Sequence, residues 1–124
     1  MKLLLDTHIL LWWLAGGKRL SKRSRDAISL AQAVFVSAAS SWEIAIKMGL
    51  GKLDFRGDLE KQIEINNFLA LPVSLAHAAA AGKLPRHHDD PFDRMLVAQA
   101  VVESLTLLTS DKRLADYDVK VLLA

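Results

Sequence analysis

The chain has 124 residues, enough for one hydrophobic core, and we predict that residues 1–124 form a single domain. It is 52% hydrophobic and has no cysteine, which excludes disulfides and thiolate metal sites. The net charge of +2 alone neither indicates nor excludes a nucleic-acid partner. Asp6 and His8 interrupt the apolar start, and no apolar run reaches the roughly 18 residues of a membrane helix. We therefore predict a soluble cytoplasmic protein without a membrane segment.

Short apolar runs alternate with helical patterns along the whole chain. Five runs predict strands: 2–5, 34–37, 69–73, 106–109 and 119–123. Seven segments predict helices: 7–15, 26–33, 41–49, 59–67, 75–82, 91–104 and 112–116. The run 2–5 does not alternate, as expected of a central strand that is buried on both faces. This alternation of strand and helix predicts an α/β layered fold with a parallel sheet.

Two segments of the first half have more than one interpretation. Residues 17–25 carry five basic side chains and no acid, which fits either a solvated helix start or a patch that contacts phosphates. The helix after the second strand is capped by Ser40 or Ser41 and ends at Gly49 or Gly51. One side of it is apolar: Trp42, Ala45, Ile46 and Leu50. Glu43, at the border of that side, either forms a surface ion pair with Lys47 or lies at the mouth of a pocket.

The stretch from residue 90 to residue 111 organises the second half. Asp90 is a suitable N-cap and Pro91 suits the first helical position, so a helix begins here. Asp93 lies in its first turn, and Asp111 lies just past the following strand. In a parallel sheet, helix starts and the carboxyl ends of strands fall at the same edge, where open α/β sheets place their sites. We therefore expect both carboxylates on one rim.

Four acids in all are expected near this rim: Asp6, Glu43, Asp93 and Asp111. Each also has an ordinary explanation, as an N-cap, a first-turn acid or half of an ion pair. Convergent carboxylates repel one another unless some are protonated or a divalent cation binds them. Mg²⁺ and Mn²⁺ prefer such oxygen ligands and support phosphodiester hydrolysis. The pattern therefore favours a metal-dependent phosphodiesterase site.

Other polar residues give weaker signals. The hydroxyls of Thr7, Thr109 and Ser110 are either local backbone caps or hydrogen-bond partners for metal-bound water. If four of the 14 acidic residues are set aside in a metal site, ten remain against 16 Lys and Arg, so the remaining surface is basic, as a nucleic-acid substrate requires.

Two adjacent pairs of side chains are also notable. His87 and His88 are assigned to an exposed polar loop, with RNA contact as the alternative and metal ligation third. Trp12 and Trp13 are assigned to the core, but both cannot face the same way, so one is a candidate for an exposed partner contact.

Five segments in this order resemble PIN-domain ribonucleases of the VapC type, the toxin halves of bacterial and archaeal toxin–antitoxin pairs: LLLDTHILLWWL, SAASSWEIAIKMGLGKL, LPVSLAHA, HHDDPFDRMLVAQA and TLLTSD. The resemblance implies a three-layer α/β/α sandwich with a central parallel sheet of four to five strands. It also implies an Mg²⁺- or Mn²⁺-dependent endoribonuclease, a homodimer, and inhibition by a small antitoxin whose tail lies across the active-site groove.

The resemblance also assigns roles to individual residues. Asp6, Glu43 and Asp93 would hold the metal, and Asp111 would complete the pocket directly or through water; all four would be catalytic. Asp90 also matches a family segment, but we assign it a capping role first.

Two other hypotheses remain open. A phosphoacceptor domain of the receiver type also gathers acids and Mg²⁺ at the rim of a parallel sheet. It normally carries adjacent acids after its first strand and an Asp after its third, whereas Asp6 stands alone here and the third strand ends at Val73-Ser74. A non-catalytic binding module, whose acids serve only as caps and as contacts for a basic partner, is the other hypothesis.

Overall fold

The computed structural model describes residues 1–124 as a parallel sheet flanked by helices, which confirms the predicted α/β class. Its strands are β1 (Lys2–Leu5), β2 (Ala33–Ser37), β3 (Leu69–Leu71), β4 (Thr106–Thr109) and β5 (Val121–Leu123). Its helices are α1 (Thr7–Leu14), α2 (Lys22–Leu30), α3 (Ala38–Gly49), α4 (Leu59–Ile65), α5 (Leu75–Lys83) and α6 (Pro91–Glu103), with a 3₁₀ helix at Lys112–Asp116. None of these helices combines the length and apolarity needed to cross a bilayer.

Both faces of the sheet are covered, which explains why β1 is an unbroken apolar run. Leu3, Leu4 and Leu5 are all fully buried. Leu3 and Leu5 pack on one face with side chains of α1, α2 and α3. Leu4, which points the opposite way, packs with α6 and the 3₁₀ helix. The result is the three-layer α/β/α arrangement that the sequence resemblance implies.

The strand order places a crevice beside β1. The order across the sheet is β3-β2-β1-β4-β5, and every neighbouring pair is parallel. The chain builds outward from β1 through β2 to β3, and then adds β4 and β5 on the other side of β1. Open parallel sheets bind ligands beyond the carboxyl ends of their strands, where the strand order reverses in this way. Here that point lies between the ends of β1 and β4.

Several element boundaries differ from the predictions for local reasons. Strand β3 ends at Leu71 instead of residue 73, because Pro72 has no N–H to donate to the ladder. Helix α3 begins at Ala38, before the predicted caps, because the Ser37 hydroxyl accepts the N–H of Ala39 at 3.0 Å. The second helix begins at Lys22, within the basic segment that was interpreted as a helix start, because Ser21 provides its cap, and it ends at Leu30, before the predicted end at residue 33.

The apolar side of α3 is the exposed side, so its hydrophobic pattern does not mark the core. Trp42 and Leu50 are 65% and 63% exposed, whereas Glu43 is buried together with Ile44. The two tryptophans of α1 are both half-buried against the core, so neither is fully exposed as the sequence suggested for one of them.

We expect Leu4→Ala to destabilise the chain by about 2–5 kcal/mol, because it leaves a cavity in a fully buried layer. Urea denaturation followed by circular dichroism measures the change. Leu30→Ala is the matched control: Leu30 is 82% exposed, and its truncation is expected to change stability by less than about 0.5 kcal/mol. Equal losses in the two variants would contradict the assignment of Leu4 to the core.

Candidate metal and catalytic site

Asp6 lies where β1 ends and α1 begins, and it is 4% exposed. Its backbone N–H donates to Leu108 O of β4 at 3.0 Å, so the sheet fixes its position. Its Oδ1 accepts the N–H of His8 as the predicted N-cap, and its Oδ2 accepts the Thr109 hydroxyl at 2.5 Å. Burial raises the pKa of Asp6, and the hydrogen bond from Thr109 partly opposes this. Asp6 therefore serves as a cap and also presents a buried carboxylate at the crevice.

Glu43 is buried on α3 with two of the hydrogen bonds that a buried carboxylate needs. Lys47 Nζ donates to Oε2 at 2.6 Å, and the Thr7 hydroxyl lies 2.8 Å from Oε1. The predicted pair with Lys47 is thus present, but Glu43 is 3% exposed and the pair is no surface feature. The hydrogen bond to Glu43 raises the pKa of Lys47, so its ammonium stays charged. The Glu43 negative charge is compensated within the chain.

Asp93 is the acid whose negative charge is least compensated by hydrogen bonds or positive charges of the chain. It lies in the first turn of α6, where Asp90 caps the helix by accepting the N–H groups of Phe92 and Asp93. Burial, followed by the negative charges of the surrounding acids, raises the pKa of Asp93 to about 7. Those acids are Asp6, Asp90, Glu43 and Asp111. The structure therefore brings the other three predicted site acids close enough to Asp93 to act on it electrostatically.

Asp111 follows β4 and is strongly paired. It caps the 3₁₀ helix by accepting the N–H of Arg113 at 3.0 Å. The Arg113 guanidinium also donates to both carboxylate oxygens, at 3.1 and 3.0 Å. These hydrogen bonds lower the pKa of Asp111 to about 2. Sequence analysis did not identify Arg113, although its position two residues after a predicted cap was a usable signal.

His88 was wrongly assigned to an exposed loop. Its side chain is 7% exposed, and its Nε2 lies 3.0 Å from Asp111 Oδ2 and 3.2 Å from Asp93 Oδ2. The backbone N–H of Asp90 donates to its Nδ1 at 3.0 Å. The neighbouring His87 does lie outward, against the ring of Tyr117. Only the folded chain brings Asp111 to the His88 ring, so no local signal could have identified this contact.

The two threonines beside the acids hold the site together. Thr109 donates to Asp6 and accepts the backbone N–H of Asp111 at 3.1 Å, so it links the ends of β1 and β4. Thr7 contacts Glu43 and the Ser40 hydroxyl, and so links α1 to α3. Thr109 therefore has the predicted role of a local backbone cap and also links two strands, whereas Thr7 makes no local cap. Ser110 is exposed and has no hydrogen bond of this kind.

The donor set fits a hard divalent cation. Asp6, Glu43 and Asp93 offer carboxylate oxygens, and the charges of Asp6 and Glu43 act on Asp93. Candidate ligand atoms of Asp93, Asp111 and His88 also lie within 4.8 Å of one another, although hydrogen bonds within the chain already engage Asp111 and His88. A carboxylate with a pKa near 7 lies in excess negative potential, which a cation would relieve. Carboxylate oxygens are the ligands that Mg²⁺ and Mn²⁺ take in proteins. The residues present therefore suit an ion of this class.

We expect Asp93→Asn to stabilise the metal-free chain more at pH 8 than at pH 5. The unfolded Asp has a pKa near 3.9, so between about pH 4 and 7 the folded chain holds the extra proton and loses stability as the pH rises. The asparagine variant lacks this loss. Urea denaturation in EDTA at the two pH values measures the difference. The exposed acid Asp26 gives the control, Asp26→Asn, and an equal effect of Asp93→Asn at both pH values would contradict the raised pKa.

Comparison with known proteins places these features in a family. The family model described as the PIN domain matches residues 3–120. Ribonuclease VapC22 of Mycobacterium tuberculosis is 30% identical over 122 residues, covering 92% of this chain and 90% of the relative. These matches extend over both halves of the sheet and all four acids.

Solved structures share the fold. VapBC2 from Rickettsia felis, bound to a DNA fragment from its promoter, has a TM-score of 0.70 at 14% identity and covers 100% of this chain and 99% of that chain. FitAcB from Neisseria gonorrhoeae has a TM-score of 0.67 at 23% identity, covering 97% and 96%. A toxin–antitoxin complex from Klebsiella pneumoniae has a TM-score of 0.62 at 17% identity, covering 87% and 85%. The family model and the M. tuberculosis relative together show that this chain belongs to the PIN-domain family.

Proposed function

We propose that this protein is a metal-dependent endoribonuclease of the VapC type, the toxin of a toxin–antitoxin pair, which cleaves RNA phosphodiester bonds. The observation that carries the proposal is the group of acids where the strand order reverses: ligand atoms of Asp93, Asp111 and His88 lie within 4.8 Å of one another, and Asp6 and Glu43 lie near enough to raise the pKa of Asp93. Membership of the PIN family and the similarity to a protein named as a ribonuclease support it.

In this proposal, Asp6, Glu43 and Asp93 hold an Mg²⁺ or Mn²⁺ ion, and Asp111 completes the pocket beside them. When bound, the ion lowers the pKa of a water molecule and stabilises negative charge on the phosphate and the leaving oxygen. The chain supplies rigid ligands for it. Thr109 and the His8 N–H orient Asp6, while Thr7 and Lys47 orient Glu43. One of the carboxylates also orients or deprotonates the attacking water.

A strip of aromatic and basic side chains, formed by His8, Trp12 and Arg19, leads from the acidic cluster toward the basic segment 17–25. We propose that RNA binds along this strip. His8 lies 4.0 Å from Asp6 Oδ1, and its ring lies 6.1 Å from that of Trp12. The Arg19 guanidinium lies 4.9 Å from the centre of the Trp12 ring. Bases stack on such aromatic and guanidinium planes, while the positive charge attracts phosphates.

The five basic residues of this segment differ in role. Arg25 donates to the carbonyl oxygens of Gly17 and Leu20 and therefore holds the turn after α1. Lys22 pairs with Asp26 at 2.8 Å, so its charge is compensated. Arg19 has no acidic partner, and the exposed Lys18 and Arg23 have none either. The side chains without an acidic partner are the ones that we assign to phosphate contacts.

We further propose that the chain is a single domain, that two copies form a homodimer in the cytoplasm, and that a cognate antitoxin binds this dimer. The structural neighbours include complexes named for a toxin and its antitoxin. The exposed apolar side chains of α3 supply area for a protein partner. Trp42, at 65% exposure, borders an apolar pocket of about 520 Å³ that is also lined by Val73, Phe92 and Met95.

The phosphoacceptor alternative is not favoured. Receiver domains have the strand order 2-1-3-4-5, whereas this sheet has the order 3-2-1-4-5. Strand β3 ends at Leu71, and Pro72, Val73 and Ser74 follow it without an acid to phosphorylate.

We expect the purified chain to cut a mixed pool of structured RNAs with Mg²⁺ or Mn²⁺ and not with EDTA. Asp93→Asn is expected to lower the rate by about two orders of magnitude or more, because metal-ion catalysis supplies several kcal/mol of transition-state stabilisation. Gel electrophoresis of end-labelled RNA measures the rate.

The control for this experiment is Asp116→Asn, which removes an exposed carboxylate of the 3₁₀ helix and is expected to leave the rate unchanged. Cleavage that persists in EDTA or in Asp93→Asn would contradict the proposal. If a metal ion raises the melting temperature of the wild type but no RNA is cleaved, the metal site is supported and the RNAs of the pool are not substrates.

We expect Arg19→Gln to weaken RNA binding several-fold and to lower the slope of log affinity against log salt by about one, as expected for the loss of one phosphate contact. The measurement is fluorescence anisotropy with labelled RNA in an Asp93→Asn background, which prevents cleavage. Lys22→Gln makes the same charge change at a residue already paired with Asp26, and we expect a smaller effect. If Arg19→Gln and Lys22→Gln changed RNA affinity and its salt dependence equally, the proposal that RNA binds along the strip would be rejected.

A further inference from the structure

We propose that His88 is a positioning residue that connects Asp111 to Asp93, and that Asp111 acts on the metal centre through His88 instead of as a direct ligand. This inference rests on the metal site of the proposed function. It concerns how the chain holds the carboxylates, and it explains why a histidine is held between two acids.

The hydrogen bonds of the ring fix where its proton lies. The backbone N–H of Asp90 donates to His88 Nδ1 at 3.0 Å, so Nδ1 must present its lone pair. The neutral ring then carries its proton on Nε2, which donates to Asp111 Oδ2 at 3.0 Å. A protonated nitrogen has no lone pair to offer a cation. His88 is therefore not a metal ligand while these bonds are kept, although its Nε2 lies in the cluster of candidate ligand atoms.

Asp111 has its hydrogen-bonding positions filled by the chain. Its Oδ1 accepts the backbone N–H and the Nε–H of Arg113. Its Oδ2 accepts an Nη2–H of Arg113 and the Nε2–H of His88. A carboxylate has about four lone-pair positions, so none is left for a cation. Asp111 is thus arranged as the anchor of His88 and not as a free ligand.

Asp93 is arranged in the opposite way. Its Oδ2 lies 3.2 Å from His88 Nε2, and no side chain donates to its Oδ1. The positive edge of the ring therefore lies between the Oδ2 atoms of Asp93 and Asp111 and reduces their repulsion. One oxygen of Asp93 lies against the edge of the ring, whose proton is donated to Asp111, while the other stays free for an ion. The series of contacts runs from Arg113 through Asp111 and His88 to Asp93.

The backbone around His88 is itself held in place. Arg94 of α6 donates to the carbonyl oxygens of Ala81, Leu84 and Pro85 at 3.0 to 3.1 Å, which fixes the segment between α5 and α6. The Tyr117 hydroxyl lies 3.5 Å from the carbonyl oxygen of His88. With both the backbone and Nδ1 fixed, the ring has little freedom to leave the carboxylates. It is therefore a rigid support for Asp93, the type of contact whose loss commonly costs 10- to 100-fold in metal affinity.

The test measures Mn²⁺ affinity by titration calorimetry at pH 7.5 without RNA, in the wild type, His88→Asn, Asp111→Asn and the double variant. His88→Asn retains a side-chain oxygen near Nδ1 for the Asp90 N–H but is too short to reach the carboxylates. Asp111→Asn retains the cap of the 3₁₀ helix. We expect each single variant to bind Mn²⁺ about tenfold more weakly, and the double variant to bind no more weakly than the weaker single one.

A matched variant tests the donor itself. The amide of His88→Gln reaches the position of Nε2, so we expect it to bind Mn²⁺ more tightly than His88→Asn. If the ring had only a structural role, His88→Gln and His88→Asn would bind Mn²⁺ with equal affinity. Thermal melts in EDTA record any loss of folding in either variant. If His88→Asn does not melt cooperatively, His88→Phe, which keeps the ring shape and removes the donor, takes its place.

Three results would overturn the inference in distinguishable ways. Wild-type Mn²⁺ affinity in both His88→Asn and His88→Phe would show that the ring does not support the site. If the fold-losses of Mn²⁺ affinity in the two single variants multiply in the double variant, Asp111 acts independently of His88. A wild-type chain that binds no Mn²⁺ would reject the metal site of the proposed function, and this inference with it.

Discussion

Repulsion among the carboxylates at the ends of β1 and β4 is the constraint on which the rest of the site depends. The chain compensates Glu43 and Asp111 with positive charges, and Asp6 only in part, because its pKa stays raised. Asp6 receives the Thr109 hydroxyl, Glu43 receives Lys47, and Asp111 receives Arg113. Asp93 receives only a contact from the His88 ring. The pKa of Asp111 is therefore lowered to about 2 while that of Asp93 is raised to about 7, and the position that lacks a positive charge is the position beside Asp93.

Such a cluster destabilises the metal-free fold, so the sheet beneath it must supply the stability. Side chains of β1 and β4 are fully buried on both faces, and the three leucines of β1 are completely excluded from solvent. The same two strands carry Asp6 and Thr109 at their ends, which fixes the candidate site to the most deeply buried part of the sheet. Sites that need uncompensated charge generally cost stability in this way.

Local sequence rules predicted the parts of the site that depend on local structure. Asp6 and Asp111 follow strands, and Asp93 opens a helix, so their positions at one rim followed from the strand and helix assignments alone. The burial of Glu43 was harder to predict for two reasons. The apolar side of α3 is the exposed side of the helix, and in the sequence a buried acid four residues before a lysine resembles a surface ion pair. His88 was not predictable, because its partner is 23 residues away and only the packing of the 3₁₀ helix against the α5–α6 segment brings them together. The end of β3 was predictable from Pro72 and was missed by the strand assignment.

Capping and site membership were treated as alternatives in the sequence, but in the structure one carboxylate both caps a helix and presents its second oxygen to the candidate site. A carboxylate has two oxygens, and a cap needs only one of them. Asp6 caps α1 with Oδ1 while its Oδ2 meets Thr109, and Asp111 caps the 3₁₀ helix with Oδ1 while its Oδ2 meets His88. The cap fixes the side-chain rotamer and so aims the second oxygen into the crevice. An ordinary structural role is thus the means by which the backbone orients the site, and finding such a role is no evidence against a functional one.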